Sequence, residues 1–307
     1  MTENFADRLL DAVDGCGTPA VVGLDPRLES MPPFLLDAAR RAAQPVREAI
    51  RAFHEIVLDE AAGRVAAVKP QIAFFEQYGI EGLQAFADTL DMARERGLLV
   101  IADAKRNDID STAAAYANAF LGAADVFGAR RPAFAADALT VTPYLGRDTL
   151  RPFVDACAEH GKGIFVLVKT SNPGSGDLQD LRTDDGRTIA ERVADMVAEA
   201  GEALTGARGY SAVGAVVGAT YPAEARALRD RMPRAIVLVP GYGAQGGGAA
   251  DAVAAFDAEG RGALVNAART ITYPKGEPAG DEASLRAGLA RRIEAMAADL
   301  AGALAAR

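Results

Sequence analysis

A carboxylate, an ammonium group and a second carboxylate follow one another within six residues, at Asp103, Lys105 and Asp108. They come directly after the apolar run 98–102, which has the composition of a buried strand. Residues two apart on a strand point to the same face, so we expect Asp103 and Lys105 to lie side by side. Burying ions is costly unless they are paired or used. Such a pair could transfer a proton or stabilise a developing charge, or it could be a solvated ion pair.

Several other apolar runs of the chain also end in charged or hydrogen-bonding residues. If these runs are parallel strands of one barrel, their carboxyl ends meet at the same face, which is where active sites of such barrels lie. Charges scattered over a surface would not fall at the same point of successive strands. The residues at the ends of the runs are Asp25, Lys69, Asp103 with Lys105, Thr142, Lys169 with Thr170 and Ser171, Gln245, and Arg269.

The elements that must position these residues are short apolar strands that alternate with helices. Continuous apolar runs are typical of strands buried on both faces, and their alternation with helices predicts a parallel sheet. Eight such units in 307 residues favour the α/β class and a (β/α)8 TIM barrel. The predicted strands are 19–25, 64–71, 98–103, 138–142, 163–169, 212–217, 235–239 and 262–266.

The predicted helices include an amphipathic helix at 5–13 and a long closing helix at 282–305. Others are expected up to about residue 62 and over 76–97, 112–128, 148–160, 188–204, 222–231 and a short stretch up to 257, with a polar loop at 171–187. Ser111 or Thr112 would cap the helix at 112–128. The alternative, a doubly wound sheet, requires a glycine-rich turn after the first strand, and Gly23-Leu-Asp-Pro-Arg27 lacks it. We therefore expect one domain over residues 1–307.

Composition narrows the classes of function. The net charge of −9 argues against general binding of nucleic acid or anionic membranes, so an anionic ligand would need local Lys and Arg residues. Two cysteines, Cys16 and Cys157, form no disulfide framework, and His54 and His160 are too few for a histidine-rich zinc site. No metal site is predicted. The segment 1–14 lacks an apolar centre and no apolar run reaches 18 residues, so a cytoplasmic protein without membrane contact is expected.

A glycine-rich segment, 241–248, follows the seventh predicted strand and precedes a short helix. In TIM barrels the loops after strands seven and eight commonly bind phosphate. Glycines allow the backbone to approach the ligand closely, and Arg269, after the last strand, could hold two phosphate oxygens with its planar guanidinium. The alternative is an ordinary surface loop. The position of the segment together with Arg269 predicts a phosphate site.

The ordered set of motifs resembles the orotidine 5′-monophosphate decarboxylase family, in particular its longer bacterial subgroup. Asp103-Ala-Lys-Arg-Asn-Asp108 is similar to the family's D-x-K-x-x-D signature, which sugar-phosphate lyases of the same superfamily share. The resemblance covers nearly the whole barrel. It extends to Leu24-Asp-Pro26, Val68-Lys-Pro-Gln71, Thr170-Ser-Asn-Pro-Gly174, Pro240-Gly-Tyr-Gly-Ala-Gln-Gly-Gly247 and Asn266-Ala-Ala-Arg269.

The resemblance implies a role for each matching residue. Lys105 would protonate carbon 6 of the pyrimidine, and Asp103 would lie against the substrate carboxylate. Asp108 would reach the active site of the partner subunit, which implies a homodimer with shared sites. The remaining implied contacts are Asp25 and Lys69 with the ribose, Thr112 across the interface, Ser171 (or Thr170) with the base, Gln245 and Gly246 with base and phosphate, and Arg269 with the phosphate.

The substrate and product would be orotidine 5′-monophosphate (OMP) and uridine 5′-monophosphate (UMP), with no cofactor. Three other interpretations remain open. A sugar-phosphate enzyme of the same superfamily would use the carboxylates to hold Mg²⁺. A Schiff-base aldolase would use Lys69, Lys105 or Lys169 as the nucleophile. A barrel that only binds nucleotides would have no need for an array of charges at its mouth.

Overall fold

The computed structural model describes residues 2–243, 247–276 and 279–307. Within them, eight parallel strands close into a barrel in the order β1-β10-β9-β8-β7-β6-β3-β2. The predicted (β/α)8 TIM barrel is therefore confirmed. The barrel strands are β1 (Ala20–Leu24), β2 (Ala67–Pro70), β3 (Leu99–Arg106), β6 (Ala138–Val141), β7 (Gly163–Lys169), β8 (Ser211–Val217), β9 (Ala235–Val239) and β10 (Ala263–Ala267), and β4 (Ala124–Val126) and β5 (Ala129–Arg131) form a separate hairpin.

Helices surround the barrel and fill the connections between its strands. Those of the described residues are α1 (Phe5–Cys16), α2 (Pro33–Ala39), α3 (Pro45–Ala61), α4 (Ala73–Glu76), α5 (Gly79–Glu95), α6 (Asp110–Phe120), α7 (Arg147–His160), α8 (Gly176–Gln179), α9 (Ile189–Gly201), α10 (Pro222–Arg231), α11 (Ala249–Ala252), α12 (Arg269–Thr272) and α13 (Glu282–Ala305). Short 3₁₀ turns lie at Leu28–Ser30, Pro173–Ser175, Glu202–Leu204 and Val253–Ala255. None of the helices in these residues has the length and apolar character that crossing a lipid bilayer requires.

The strands divide their side chains between two apolar regions, because successive residues of a strand point to opposite faces. One region fills the barrel interior and includes Val21, Ile101 and Phe165. The other lies between the strands and the surrounding helices and includes Val22 and Val100. The central strand residues are buried on both faces, which explains why the runs read as continuously apolar in the sequence.

The two terminal helices pack against the barrel at different places. The ring of Phe5 in α1 meets Phe165 of the interior edge-on, with centroids 6.1 Å apart, so this helix covers the amino-terminal end of the strands. Helix α13 is capped by Asp281, whose side chain accepts a hydrogen bond from Ser284 N at 2.8 Å. Its buried Leu289 belongs to the outer apolar region. Helix α13 has the predicted bounds, whereas α1 extends three residues beyond its predicted end at residue 13.

The predicted helix 112–128 is wrong at both ends. Helix α6 begins at Asp110, is preceded by Ile109 rather than capped by Ser111 or Thr112, and ends at Phe120. The hairpin β4–β5 follows, with Phe127 and Gly128 in its turn, both at positive φ. A two-residue turn of this geometry normally carries Asn-Gly or Asp-Gly, so Phe-Gly gives little sequence signal for it.

The polar segment 171–187 is more ordered than predicted. It contains the 3₁₀ turn at 173–175 and helix α8, and Arg182 forms an isolated bridge with Thr188. Thr188 then caps α9: its hydroxyl accepts from Glu191 N at 3.1 Å, and the Glu191 carboxylate accepts from Thr188 N at 2.6 Å. These short elements lack the periodicity by which longer helices are recognised.

His54 is a buried structural residue. Its Nδ1 lies 2.9 Å from the Thr89 hydroxyl oxygen, and that hydroxyl donates to the Ala85 carbonyl at 2.7 Å. We assign the proton to Nδ1 because the hydroxyl hydrogen is already used. Nε2 is buried without a hydrogen-bond partner among the described residues. Burial lowers the pKa of His54 from 6.5 to about 3.

We expect this histidine to make the protein less stable in mild acid. Because the unfolded state binds the proton below pH 6.5 and the folded state does so only near pH 3, stability falls as the pH drops through this window. About 2 kcal/mol would be lost between pH 6.5 and 5. Urea unfolding at both pH values measures the loss, which should disappear in His54→Leu and persist in the control His160→Gln. An unchanged loss in His54→Leu would contradict the assignment.

Candidate active site

The centre of the site is the Asp103 carboxylate, whose two oxygens are both occupied by cations. Lys69 Nζ lies 2.6 Å from Oδ2, and Lys105 Nζ lies 2.7 Å from Oδ1. The Thr140 hydroxyl also donates to Oδ1 at 2.9 Å. Lys69 and Asp103 are buried, whereas the side chain of Lys105 is 45% exposed. The three residues therefore form a charged array whose outermost member faces the barrel mouth.

Neighbouring strands bring these residues together. Lys69, Asp103 and Thr140 lie on β2, β3 and β6, which are adjacent in the barrel. The register between β3 and β6 shifts between Ala102 and Arg106, and Lys105 has a positive φ of 48°. The Thr140 hydroxyl accepts a hydrogen bond from Lys105 N at 2.9 Å and so supports this backbone. Backbone strain in a non-glycine residue is typical of functional sites.

The surrounding charges favour the charged forms of Asp103 and Lys69. Burial acts to raise the pKa of Asp103, but the charges of Lys69 and Lys105 outweigh it and hold the pKa below its usual range. Burial acts to lower the pKa of Lys69, and the Asp103 and Asp25 carboxylates raise it instead. The buried Lys69–Asp103 pair is therefore ionised at the end of the strands.

Two further polar side chains near the mouth carry buried atoms without partners among the described residues. Asp25 follows β1, and its Oδ1 is buried and makes no hydrogen bond. Burial raises the pKa of Asp25 against the opposing charge of Lys69. Asn266 lies on β10, next to β1, and its Oδ1 is also unpaired. Unpaired buried acceptors are costly, so this side of the mouth is suited to the donors of a polar ligand.

A cavity of about 270 Å³ opens over the array. Besides the charged residues, its wall is formed by the segment that follows β7 and by apolar side chains of the barrel interior. This combination of apolar walls with a few charged groups at one end is typical of a small-ligand site. The cavity is lined by Lys69, Asp103, Lys105, Thr140, Leu167, Thr170, Ser171, Asn172, Val216, Leu238 and Pro240.

Of the predicted phosphate residues, Arg269 lies within the part of the chain that the structure describes. Arg269 begins α12 directly after β10 and is exposed. Gln245 and Gly246 lie outside the described residues. The described ends of their loop approach each other, since Gly243 N donates to the Gly247 carbonyl at 2.8 Å. Arg269 is therefore positioned on the same face of the barrel as the array, after the last strand.

Asp108 and Thr112 do not line the cavity of their own chain. Asp108 is partly exposed and its carboxylate accepts a hydrogen bond from Ile109 N at 2.8 Å. Thr112 is exposed on α6. Large apolar side chains are exposed on loops at this same end of the barrel, including Ile109 at 53% and Tyr144 at 74%. None of these residues contributes to the lining of the cavity over the array.

Sequence analysis missed Thr140 and misplaced two other residues. Thr142 was assigned to the strand end, but it is Thr140 that bonds Asp103, while the Thr142 hydroxyl lies 3.4 Å from the Lys105 carbonyl oxygen. The sequence offered one sign of this role, namely a polar threonine between the apolar residues Leu139 and Val141 of the strand. Lys169 ends β7 as predicted but contacts Asp180 and Glu224 rather than the cavity.

The closed parallel barrel has a lysine–carboxylate array at its carboxyl-terminal face. This arrangement is typical of β/α-barrel enzymes, whose active sites lie at that face. The family profile described as orotidine 5′-phosphate decarboxylase / HUMPS matches residues 20–281. The chain belongs to this family.

Individual relatives agree with the family profile. An orotidine 5′-phosphate decarboxylase of Rhodopirellula baltica is 51% identical over 270 residues, covering 88% of each chain. One of Deinococcus radiodurans is 43% identical over 295 residues, covering 96% of this chain and 97% of the relative. Among solved structures, the OMP decarboxylase of Leishmania donovani is 30% identical, with a TM-score of 0.74 over 99% of this chain and all of that one (100%).

Proposed function

We propose that this protein decarboxylates OMP to UMP without a cofactor, as a step of pyrimidine nucleotide synthesis. The observation that carries the proposal is the double occupation of the Asp103 carboxylate by Lys69 and Lys105, at 2.6 and 2.7 Å. Loss of carbon dioxide from a pyrimidine leaves an electron pair on carbon 6 that the ring cannot delocalise. A fixed ammonium group beside that carbon stabilises the developing charge and can protonate it.

The ligand would lie with its phosphate towards Arg269, Gln245 and Gly246 and its base towards Ser171. Asp25 and Lys69 would bind the ribose hydroxyls; the unpaired Oδ1 of Asp25 supports this role because it can accept a hydrogen bond from a hydroxyl group. The phosphate contacts are remote from the bond that breaks. Their binding free energy can therefore orient the base over Lys105 and offset unfavourable contacts there.

The chemical step needs only one proton donor. The substrate carboxylate would approach the Asp103 carboxylate, a contact between like charges that disappears when carbon dioxide forms. The bond from carbon 6 to the carboxylate breaks, and its electron pair stays on carbon 6. Lys105 then donates a proton from Nζ to that carbon and recovers one from water, which its 45% exposed side chain can reach.

The donor set favours cofactor-free chemistry over Mg²⁺ binding. Both oxygens of Asp103 already contact ammonium groups, so a divalent cation would have to displace a lysine. Mg²⁺ prefers carboxylates and water that no cation occupies. Residues 2–243, 247–276 and 279–307 contain no cluster of three or more His, Cys, Asp or Glu side chains suited to a metal ion.

We further propose a homodimer in which Asp108 and Thr112 enter the partner's site. A second copy of the chain would bury the exposed Ile109, next to Asp108 in the sequence, and Tyr144 in the loop after β6, which supports an interface at this face. Residues 1–307 would form one domain, because α1 and α13 both contribute buried side chains to the barrel's apolar regions. The cytoplasmic location remains a prediction from the sequence.

A comparison of two substrates with and without Mg²⁺ tests the proposed reaction against its nearest rival. The EDTA-treated enzyme should convert OMP, and added Mg²⁺ should leave the rate unchanged. A ketohexose 6-phosphate should not react under either condition. Conversion of the sugar phosphate that depends on Mg²⁺, without conversion of OMP, would assign the protein to the metal-dependent branch of the family instead.

A further inference from the structure

Lys169 is a buried lysine that the proposed reaction does not use. Its side chain is 1% exposed, although it lies at the carboxyl-terminal end of β7, next to the active-site mouth. It pairs with Asp180, the residue that follows α8, and with Glu224 of α10, whose Oε2 is 3.1 Å from Nζ. Nζ also lies 5.0 Å from the centre of the Tyr221 ring. One cation thus joins the segment after β7 to the segment after β8.

An irregularity in the sheet turns this lysine away from the barrel interior. Leu167, in the interior, pairs with Val216, but Lys169 pairs with Val217, which lies in the outer apolar region. Two steps along β7 therefore match one step along β8, as in a β-bulge. Without the shift, the alternation of a strand would place Lys169 inside the barrel with Leu167. Bulges commonly re-aim side chains beside active sites.

The residues directly after Lys169 form one wall of the active-site cavity. Thr170, Ser171 and Asn172 all line it. Gln179, the last residue of α8, precedes Asp180 and makes two hydrogen bonds to this turn. Its Oε1 accepts from Thr170 N at 3.0 Å, and its Nε2 donates to the Thr170 hydroxyl at 2.8 Å.

The segment after β8 contacts the same turn from the other side. Gly218 N donates to the Lys169 carbonyl at 2.9 Å. A Cβ atom at Gly218 would come within 2.9 Å of Ser171 Cβ, so the two segments are in close contact. The position of Ser171 thus depends on how these two segments are held against each other.

We propose that Lys169 is a positioning residue that fixes the base-binding turn 170–172 by tying the segments after β7 and β8 together. The proposal rests on the proposed function, in which this turn contacts the pyrimidine. Removing the ammonium group would leave Asp180 and Glu224 as neighbouring carboxylates that repel each other. Helix α8 would then shift, and Thr170 and Ser171 would move with it. The array of Lys69, Asp103 and Lys105 lies on other strands and would stay in place.

The test compares binding of two ligands that differ only in the base. UMP and ribose 5-phosphate are titrated calorimetrically into the full-length protein and into Lys169→Met and Lys169→Arg. We expect Lys169→Met to weaken UMP binding by about tenfold or more, because the displaced turn would lose its hydrogen bonds to the base. Binding of ribose 5-phosphate, which has no base, should be unchanged. Lys169→Arg, which can still pair with both carboxylates, should bind UMP nearly as well as the wild type.

Two milder variants keep the test valid if Lys169→Met does not fold. Asp180→Asn and Glu224→Gln each change one half-exposed partner and should give smaller losses of UMP binding in the same direction. Lys162→Met is the matched control, because this lysine precedes the opposite end of β7 and pairs with Asp137 at 3.5 Å. Its affinity for UMP should be unchanged.

The outcomes separate this inference from the proposed function. Equal loss of affinity for both ligands in Lys169→Met would overturn the positioning role. Unchanged UMP binding in Lys169→Met, Asp180→Asn and Glu224→Gln would overturn it as well. A wild-type protein that binds UMP but does not convert OMP would overturn the proposed reaction alone. The affinities of the Lys169 variants for UMP and ribose 5-phosphate would still test the positioning role. A wild-type protein that does not bind UMP would overturn both.

Discussion

Replacing Lys105 by alanine should reduce turnover of OMP by at least about 10³-fold while leaving UMP binding measurable. The substitution removes both the proton donor and the positive charge nearest the cavity. The groups proposed to bind phosphate and ribose remain, so the product should still bind. Single-turnover absorbance measurements give the chemical rate, and calorimetry gives the affinity for UMP.

Lys275→Ala serves as the control, because this lysine is exposed and does not line the cavity over the array. Its turnover should match that of the wild type. If Lys105→Ala kept turnover within tenfold of the wild type, Lys105 could not be the acid. Lys69, 2.6 Å from the other oxygen of Asp103, would then be the next candidate.

Mixing two inactive variants should restore activity if the sites are shared between subunits. Lys105→Ala damages a site from within its own chain, whereas Asp108→Ala would damage the site of the partner. In a hybrid dimer, one site then carries both changes and the other carries neither. Random exchange of subunits should restore about one quarter of the wild-type activity, because half of the dimers are hybrids with one intact site.

The two variants are mixed after brief dissociation in urea, and activity is followed with time. A mixture of Lys105→Ala with Asp103→Ala is the matched control, since both changes affect the same chain's contribution and every site stays damaged. Activity that remains at the level of the separate variants in both mixtures would contradict the shared site. Activity restored in both mixtures would contradict the assignment of Asp108 to the partner.

The barrel could be predicted because each strand is buried on both faces and therefore appears as an apolar run. The run 235–239 and helix 222–231 match the structure to the residue. The hairpin β4–β5 could not be predicted, since its strands have three residues each and its turn is Phe127-Gly128. The short helix α8 has no detectable period for the same reason.

Much of the site was also predictable, because charges that end apolar runs meet at one face of a barrel. The structure brings Lys69, Asp103 and Lys105 together as expected. The parts that were missed depend on local register. A shift in β3 and a positive φ set the position of Lys105, and a shift beside Val217 turns Lys169 outward. Such shifts arise from tertiary packing and leave no mark in the order of residue types.

The most direct test of the central proposal is a single absorbance trace of OMP with the metal-depleted enzyme in EDTA. We predict complete conversion to UMP with one carbon dioxide released per nucleotide, at a rate that added Mg²⁺ does not change. An unchanged spectrum at micromolar enzyme, or conversion only after a divalent cation is restored, would contradict a site in which Lys69, Asp103 and Lys105 carry the reaction by themselves.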